Sequence, residues 1–186
     1  MSWYVLYVET GQEEFVKYLI KKYIDKLTVE VIVPKRIIRE RRQGELYEVS
    51  RPVFPGYVFL NTHMSVDLYY RLKQIPKCFR LLNSYKYRTD YMIDDVSHDN
   101  VDRVFSTVEE KEIALILQLL QKSETIGFSQ LYAENSEVIV ISGPLKGLEG
   151  IIKKIDRRKN RAKIELNFLG VVKLIDVGIE VLTKNA

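Results

Sequence analysis

The sequence predicts an α+β chain: an N-terminal α/β sandwich, with helices against a mostly antiparallel sheet, followed by a small C-terminal β-barrel. Three observations predict it. Strand-like and helix-like runs alternate through the first part of the chain, whereas from Glu134 onward β-branched runs are separated only by turns containing glycine or charged residues. Between the two, Ser123-Glu124-Thr125 and Gly127 loosen the chain. The expected division is therefore 1–122, a connector over 123–133, and 134–186. Ile126, Phe128, Leu131 and Tyr132 make that connector too apolar for a free tether.

Each element has a local cause. Trp3–Val8 is aromatic and β-branched and is ended by Glu9-Thr10-Gly11, a strand followed by a turn. From Gln12 to Leu27, Phe15, Val16, Leu19, Ile20, Tyr23, Ile24 and Leu27 recur at three and four, the stripe of a helix packed on a sheet. Thr28–Val33 is a second strand, closed by Pro34, and Lys35–Val49 forms two extended arms around Gln43-Gly44. In RPVFPGYVFL, Arg51–Leu60, two prolines and a glycine kink the chain before a buried central strand of Tyr57, Val58, Phe59 and Leu60. Val66–Ile75 is a short helix stopped by Pro76, and Phe79–Leu82 is a strand. Val101, Val104, Phe105 and Val108 have helical spacing over Asp99–Val108. Glu109–Lys122 is a helix whose first-turn acids complement its dipole.

The C-terminal part is read as strands throughout. Val138–Ile141 is stopped by Gly143-Pro144, Ile151-Ile152 supplies the next strand, and Gly147 and Gly150 around it are expected to allow tight turns. Asp156–Arg161 is a turn, Ala162–Phe168 alternates as a strand, Val171–Val177 follows across Gly170, and Ile179–Leu182 closes the barrel.

Composition narrows the function classes. With 186 residues, 46% hydrophobic and 29% charged, the chain can bury one sizeable core or two small ones and has the make-up of a soluble protein. Its one cysteine, Cys78, excludes an internal disulfide and a multi-thiolate metal site. No apolar run is long enough to span a bilayer and no signal core opens the chain, so a cytoplasmic location without membrane contact is expected. His63 and His98 lack partners at ligand spacing, and no nucleophile–base pair or phosphate loop is legible. Neither a metal, a cofactor nor an enzymatic activity is expected.

The net charge of +4 matters less than its clustering. Lys146, Lys153, Lys154, Arg157, Arg158, Lys159, Arg161 and Lys163 crowd one stretch with only Glu149 and Asp156 among them. Guanidinium groups pair with phosphate and stack on bases, so this turn suits RNA, and it equally suits a solvated hairpin. The arms around Gln43-Gly44 carry Arg39, Arg41 and Arg42, which fit a DNA backbone or an edge kept positive against strand pairing.

These residues carry a resemblance. Gly143-Pro144-Leu145-Lys146-Gly147-Leu148-Glu149-Gly150 looks like the strand-loop-strand centre of a KOW motif, with Gly150 at its characteristic glycine. Trp3-Tyr4-Val5 and RPVFPGYVFL resemble the NGN domain of NusG-type transcription elongation factors. Tyr132-Ala133-Glu134-Asn135, Lys153–Arg158 and Gly178-Ile179-Glu180 are similar to the specialised LoaP-type branch of that family, the processive antiterminators. The resemblance implies a monomer whose NGN domain binds the clamp helices of RNA polymerase through Tyr7, Phe54 and Tyr57. It further implies a KOW domain that binds an RNA hairpin in the nascent leader, with Lys146, Lys153, Lys154, Arg157, Arg158, Lys159 and Arg161 as contacts. Non-template DNA is the expected partner of Arg39, Arg41 and Arg42. Two departures stand out: Leu169-Gly170 replaces the Phe-Gly step associated with ribosome coupling, and Asn135-Ser136 replaces a Gly-Asp pair.

Overall fold

The computed structural model describes residues 1–82, 105, 107–134 and 137–183. In chain order the elements are β1 (Ser2–Val8), α1 (Glu13–Tyr23), β2 (Val29–Ile32), β3 (Lys35–Arg42), β4 (Glu45–Pro52) and β5 (Tyr57–Thr62). Next come α2 (Val66–Lys73), β6 (Cys78–Leu81), α3 (Glu110–Leu120), β7 (Thr125–Ile126) and β8 (Ser129–Glu134). The chain finishes with β9 (Glu137–Ser142), β10 (Ile152–Asp156), β11 (Arg161–Phe168) and β12 (Val171–Val181). Contacts gather them into two compact units, Met1–Val33 with Phe54–Glu109, and Pro34–Val53 with Glu110–Ala186. The β3–β4 hairpin and α3 thus group with the C-terminal strands. Residues 123–133, expected as a connector, carry β7 and most of β8.

The first unit is a sheet of order β2-β5-β1-β6, antiparallel throughout, with β5 central as its apolar run requires. Alternation sends Tyr4, Leu6, Val8, Val58 and Leu60 to one face, where Val16, Leu19, Ile20, Leu68 and Leu72 of the helices bury them. Helix α1 is shorter than its periodicity predicts. Ile24 turns to extended backbone, and Asp25 takes over: its Oδ1 accepts the Leu27 N–H at 2.9 Å, while its carbonyl accepts the Thr28 hydroxyl at 2.8 Å. Leu27, expected in the apolar stripe, is 86% exposed, and Phe15 and Tyr23 also face outward. Helix α2 begins where Ser65 Oγ caps the Leu68 N–H at 3.1 Å. Most of the helix expected at Asp99–Val108, together with His98, lies outside the described residues; Phe105 and Val108 are buried. His63 is exposed.

The second unit joins a five-stranded sheet, β10-β11-β12-β8-β9, to a three-stranded one, β4-β3-β7. Pairing is antiparallel except between β12 and β8 and between β3 and β7. Along β11, Ala162, Ile164, Leu166 and Phe168 are buried while the intervening residues are not, as one-face burial demands. Strand β12 was expected as two pieces broken near Gly178 and instead runs unbroken. Its approach from β11 is a two-residue turn with positive φ at both Leu169 (54°) and Gly170 (72°), the type that matches strand twist. Buried Glu112 on α3 holds that turn, its two carboxylate oxygens accepting the Leu169 and Gly170 N–H groups at 3.0 and 3.1 Å.

Between β9 and β10, Gly143 and Gly147 take positive φ (92° and 78°). A Cβ at Gly143 would stand 2.5 Å from the Phe128 carbonyl oxygen. Gly150 differs from expectation: its φ is ordinary and a Cβ there would meet open space, so the KOW-like glycine answers no steric demand in this chain.

Candidate functional site

In the first unit the candidate surface is aromatic. The β1–β5 register sets Tyr7 opposite Tyr57, with ring centroids 5.7 Å apart, and Phe79 on neighbouring β6 brings a third ring to 5.4 Å from Tyr7. Tyr7 is 37% and Phe79 58% exposed, an open cluster of large rings of the kind that marks a protein-binding face. Its edge is held by Gly56, whose φ of 83° makes the turn and whose carbonyl accepts the Val8 N–H at 2.8 Å. Buried Glu13 accepts the Gly56 N–H at 2.7 Å. Phe54 is not part of this cluster. It is 4% exposed, with its ring 5.7 Å from that of buried Phe59, because the Pro55-Gly56 turn that presents Tyr57 leaves Phe54 on the core side. Phe79 was missed in the sequence, where it reads only as one apolar residue in a short strand.

In the second unit the candidate surface is cationic, and acids divide its cations into two groups. On the β3–β4 hairpin Arg39 Nη2 donates to Glu180 at 3.0 Å and to Glu48 at 3.3 Å, and its guanidinium lies 4.6 Å from the Phe128 ring centroid. Hydrogen bonds from Gln130, then from Arg39, hold the Glu180 carboxyl below the usual range. Glu40 accepts from Arg51 at 2.9 Å and from Arg42 at 3.4 Å, and those bonds, Arg51's first, lower its pKa. Of the three arginines expected at DNA, Arg39 and Arg42 are therefore engaged with carboxylates. Arg41, exposed at the outer end of β3, has no acidic partner among the described residues.

The same division runs through the basic stretch. Arg161 is turned inward: its Nη2 donates to the Arg39 carbonyl at 2.8 Å and its Nη1 lies 3.9 Å from Asp176, while its buried Nε has no partner. Arg36 shares that neighbourhood. Burial pushes its pKa down, Asp176 opposes the shift, and the charge on Arg161 adds to it. Lys163 pairs with Asp176 at 3.1 Å and Lys153 with Glu165 at 3.2 Å. Lys146, Lys154, Arg157, Arg158 and Lys159 are exposed and, among the described residues, have no ion pair. The last three ride on a turn closed by Asp156, whose Oδ1 accepts the Lys159 N–H at 2.9 Å, and by Asn160 at φ 51°. A turn carrying three cations without acidic partners among the described residues can hold phosphates. Among the described residues no cluster of three metal-ligating side chains occurs, and no described helix is long and apolar enough to cross a membrane.

The profile of the family described as transcription termination factor NusG matches residues 1–105, and that of the KOW motif matches residues 134–165. The transcription termination/antitermination protein NusG of Rickettsia felis is 22% identical, over 99% of this chain and 90% of that protein. Its Synechocystis counterpart is 26% identical over 90% and 82%. A solved structure of Thermotoga maritima NusG shares the fold, with a TM-score of 0.55 at 20% identity over 95% of this chain and 93% of that one. The Gly178-Ile179-Glu180 phrase acquires a physical meaning here, since Gly178 admits the hairpin and Glu180 pairs with Arg39. With the NusG profile covering more than half of the chain and a KOW motif following it, the chain belongs to the NusG family of transcription termination and antitermination factors.

Proposed function

We propose that this protein is a processive antiterminator of the LoaP type. Its Tyr7–Tyr57–Phe79 cluster binds the clamp helices of RNA polymerase, and its basic turn binds an RNA hairpin in the nascent leader of chosen operons. The observation that carries the reading is the sorting of cations: Glu165 pairs with Lys153, and Asp176 is shared by Lys163 and Arg161, while Arg157, Arg158 and Lys159 stand together without an acidic partner among the described residues on one hydrogen-bonded turn. A turn serving only solubility has no need of such an arrangement, whereas phosphate recognition needs unpaired, pre-set cations. Bridging the clamp disfavours the opening that accompanies pausing, and RNA attachment raises the local concentration of the factor, so each contact can be weak. The protein acts in the cytoplasm by binding, without a cofactor.

The test is a gel shift with leader hairpin RNA against a scrambled RNA at physiological salt, paired with terminator readthrough in purified transcription. Preference for the hairpin and readthrough that depends on it are expected. Readthrough without any RNA preference would identify a general NusG-like elongation factor instead, and absence of readthrough would remove the antiterminator reading.

A further inference from the structure

The β3–β4 hairpin belongs to the same compact unit as the basic turn, and the two are tied by a specific strut. Arg161, the first residue after the turn, donates to the backbone carbonyl of Arg39 at 2.8 Å across 122 residues of sequence. Arg39 is in turn fixed by Glu180 and by Phe128. Gly178, which pairs with Arg161 in the β11–β12 register, lies against the hairpin: a Cβ there would stand 2.6 Å from the Ile37 carbonyl oxygen. Strand β3 therefore runs from Ile37 beside Gly178 to Arg39 beside Glu180, which is the direction in which β12 passes Asn160, whose carbonyl accepts the Ile179 N–H at 3.0 Å. Arg41 lies two residues farther along and so shares the face of Arg39. It is exposed and unneutralised, like Arg157, Arg158 and Lys159.

We propose that Arg41 and the Arg157–Lys159 turn form one composite RNA-binding surface, in which Arg39 and Arg161 are positioning residues that set the spacing between hairpin and turn. The proposal rests on the RNA reading above and extends it by reassigning the hairpin to RNA. The committed guanidiniums account for the geometry. A phosphate-bearing stem crossing both elements meets cations whose backbones are mutually fixed, so little order is lost on binding. RNA is favoured over duplex DNA because the surface continues a turn of arginines suited to phosphate and base stacking.

The experiment titrates the full chain with a fluorescein-labelled RNA stem-loop and a matched DNA duplex across a salt series. Arg41→Gln should weaken RNA binding about fivefold near physiological salt and lower the slope of log K against log salt by about 0.7 to 0.9, the yield of one lost phosphate contact. Arg41→Lys should restore most of the slope. Arg39→Gln, which keeps all the turn cations, should lower affinity with little change in slope once thermal unfolding verifies folding, because it loosens spacing and removes no phosphate contact. If Arg157→Gln and Arg158→Gln lose RNA binding while Arg41→Gln keeps wild-type affinity and slope, the composite surface is wrong and the turn alone binds RNA. Should all three bind like wild type, the RNA reading itself fails. An effect of Arg41→Gln on the DNA duplex alone would return the hairpin to DNA and overturn the proposal.

Discussion

Gly178→Ala tests whether the β3–β4 hairpin truly packs on β12. The added methyl carbon would stand 2.5 Å from Phe128 Cε1 and 2.6 Å from the Ile37 carbonyl oxygen, where ordinary contact needs roughly 3.5 Å. The ring cannot retreat alone, because Arg39 sits on it, and the carbonyl cannot retreat without moving β3. Forcing a methyl into such a contact costs about 1–3 kcal/mol. Separating Arg39 from Phe128 adds about 0.5–1 kcal/mol. Against this, alanine reduces the freedom of the unfolded chain, worth about 0.4–1 kcal/mol in favour of the variant. The net expectation is a loss of about 0.5–3.5 kcal/mol in urea unfolding, with faster amide exchange in β3 and around Phe128. A variant as stable as the parent, with unchanged exchange at those amides, would refute the packing and with it the fixed spacing of Arg41 and the turn.

Phe79→Ala should abolish capture of purified RNA polymerase while changing stability by no more than about 0.5 kcal/mol, whereas Phe54→Ala should cost about 3–5 kcal/mol; thermal unfolding of both separates surface from core, and equal effects would contradict the assignment. Glu112→Gln leaves at most one good acceptor for the Leu169 and Gly170 N–H groups, so about 1–3 kcal/mol of stability and the exchange protection of those two amides should be lost. Because the folded pKa of Glu180 is depressed, its contribution to stability is complete above the unfolded carboxyl value near about 4.3 and disappears as pH falls through the folded value. Glu180→Gln should therefore flatten acid unfolding in that window; an unaltered acid profile would mean that the Arg39–Glu180 contact contributes nothing.

Much of this was legible because its causes are local. Proline and glycine in RPVFPGYVFL set the kink before β5, the β-branched runs became strands, and Asp156–Arg161 became a turn, each from chemistry within a few residues. What periodicity could not say was which flank of a stripe finds a partner, so Phe15, Tyr23 and Leu27 were expected inside and lie outside. Phe54, expected on the open face, is buried and Phe79, given no role, is exposed, because exposure belongs to the assembled sheet and not to the residue.

The chain's own order of residues determined its class, the aromatic strand pair and the basic turn, since hydrophobic period and turn chemistry act over neighbours. Tertiary structure alone decided which cations remain available. Arg39 meets Glu180 across 141 residues, Arg161 meets the Arg39 carbonyl across 122, and Lys163 meets Asp176 on the adjoining strand. A charge is neutralised by whatever lies within a few ångströms in space, and separation along the chain carries no record of that distance until the fold has closed it.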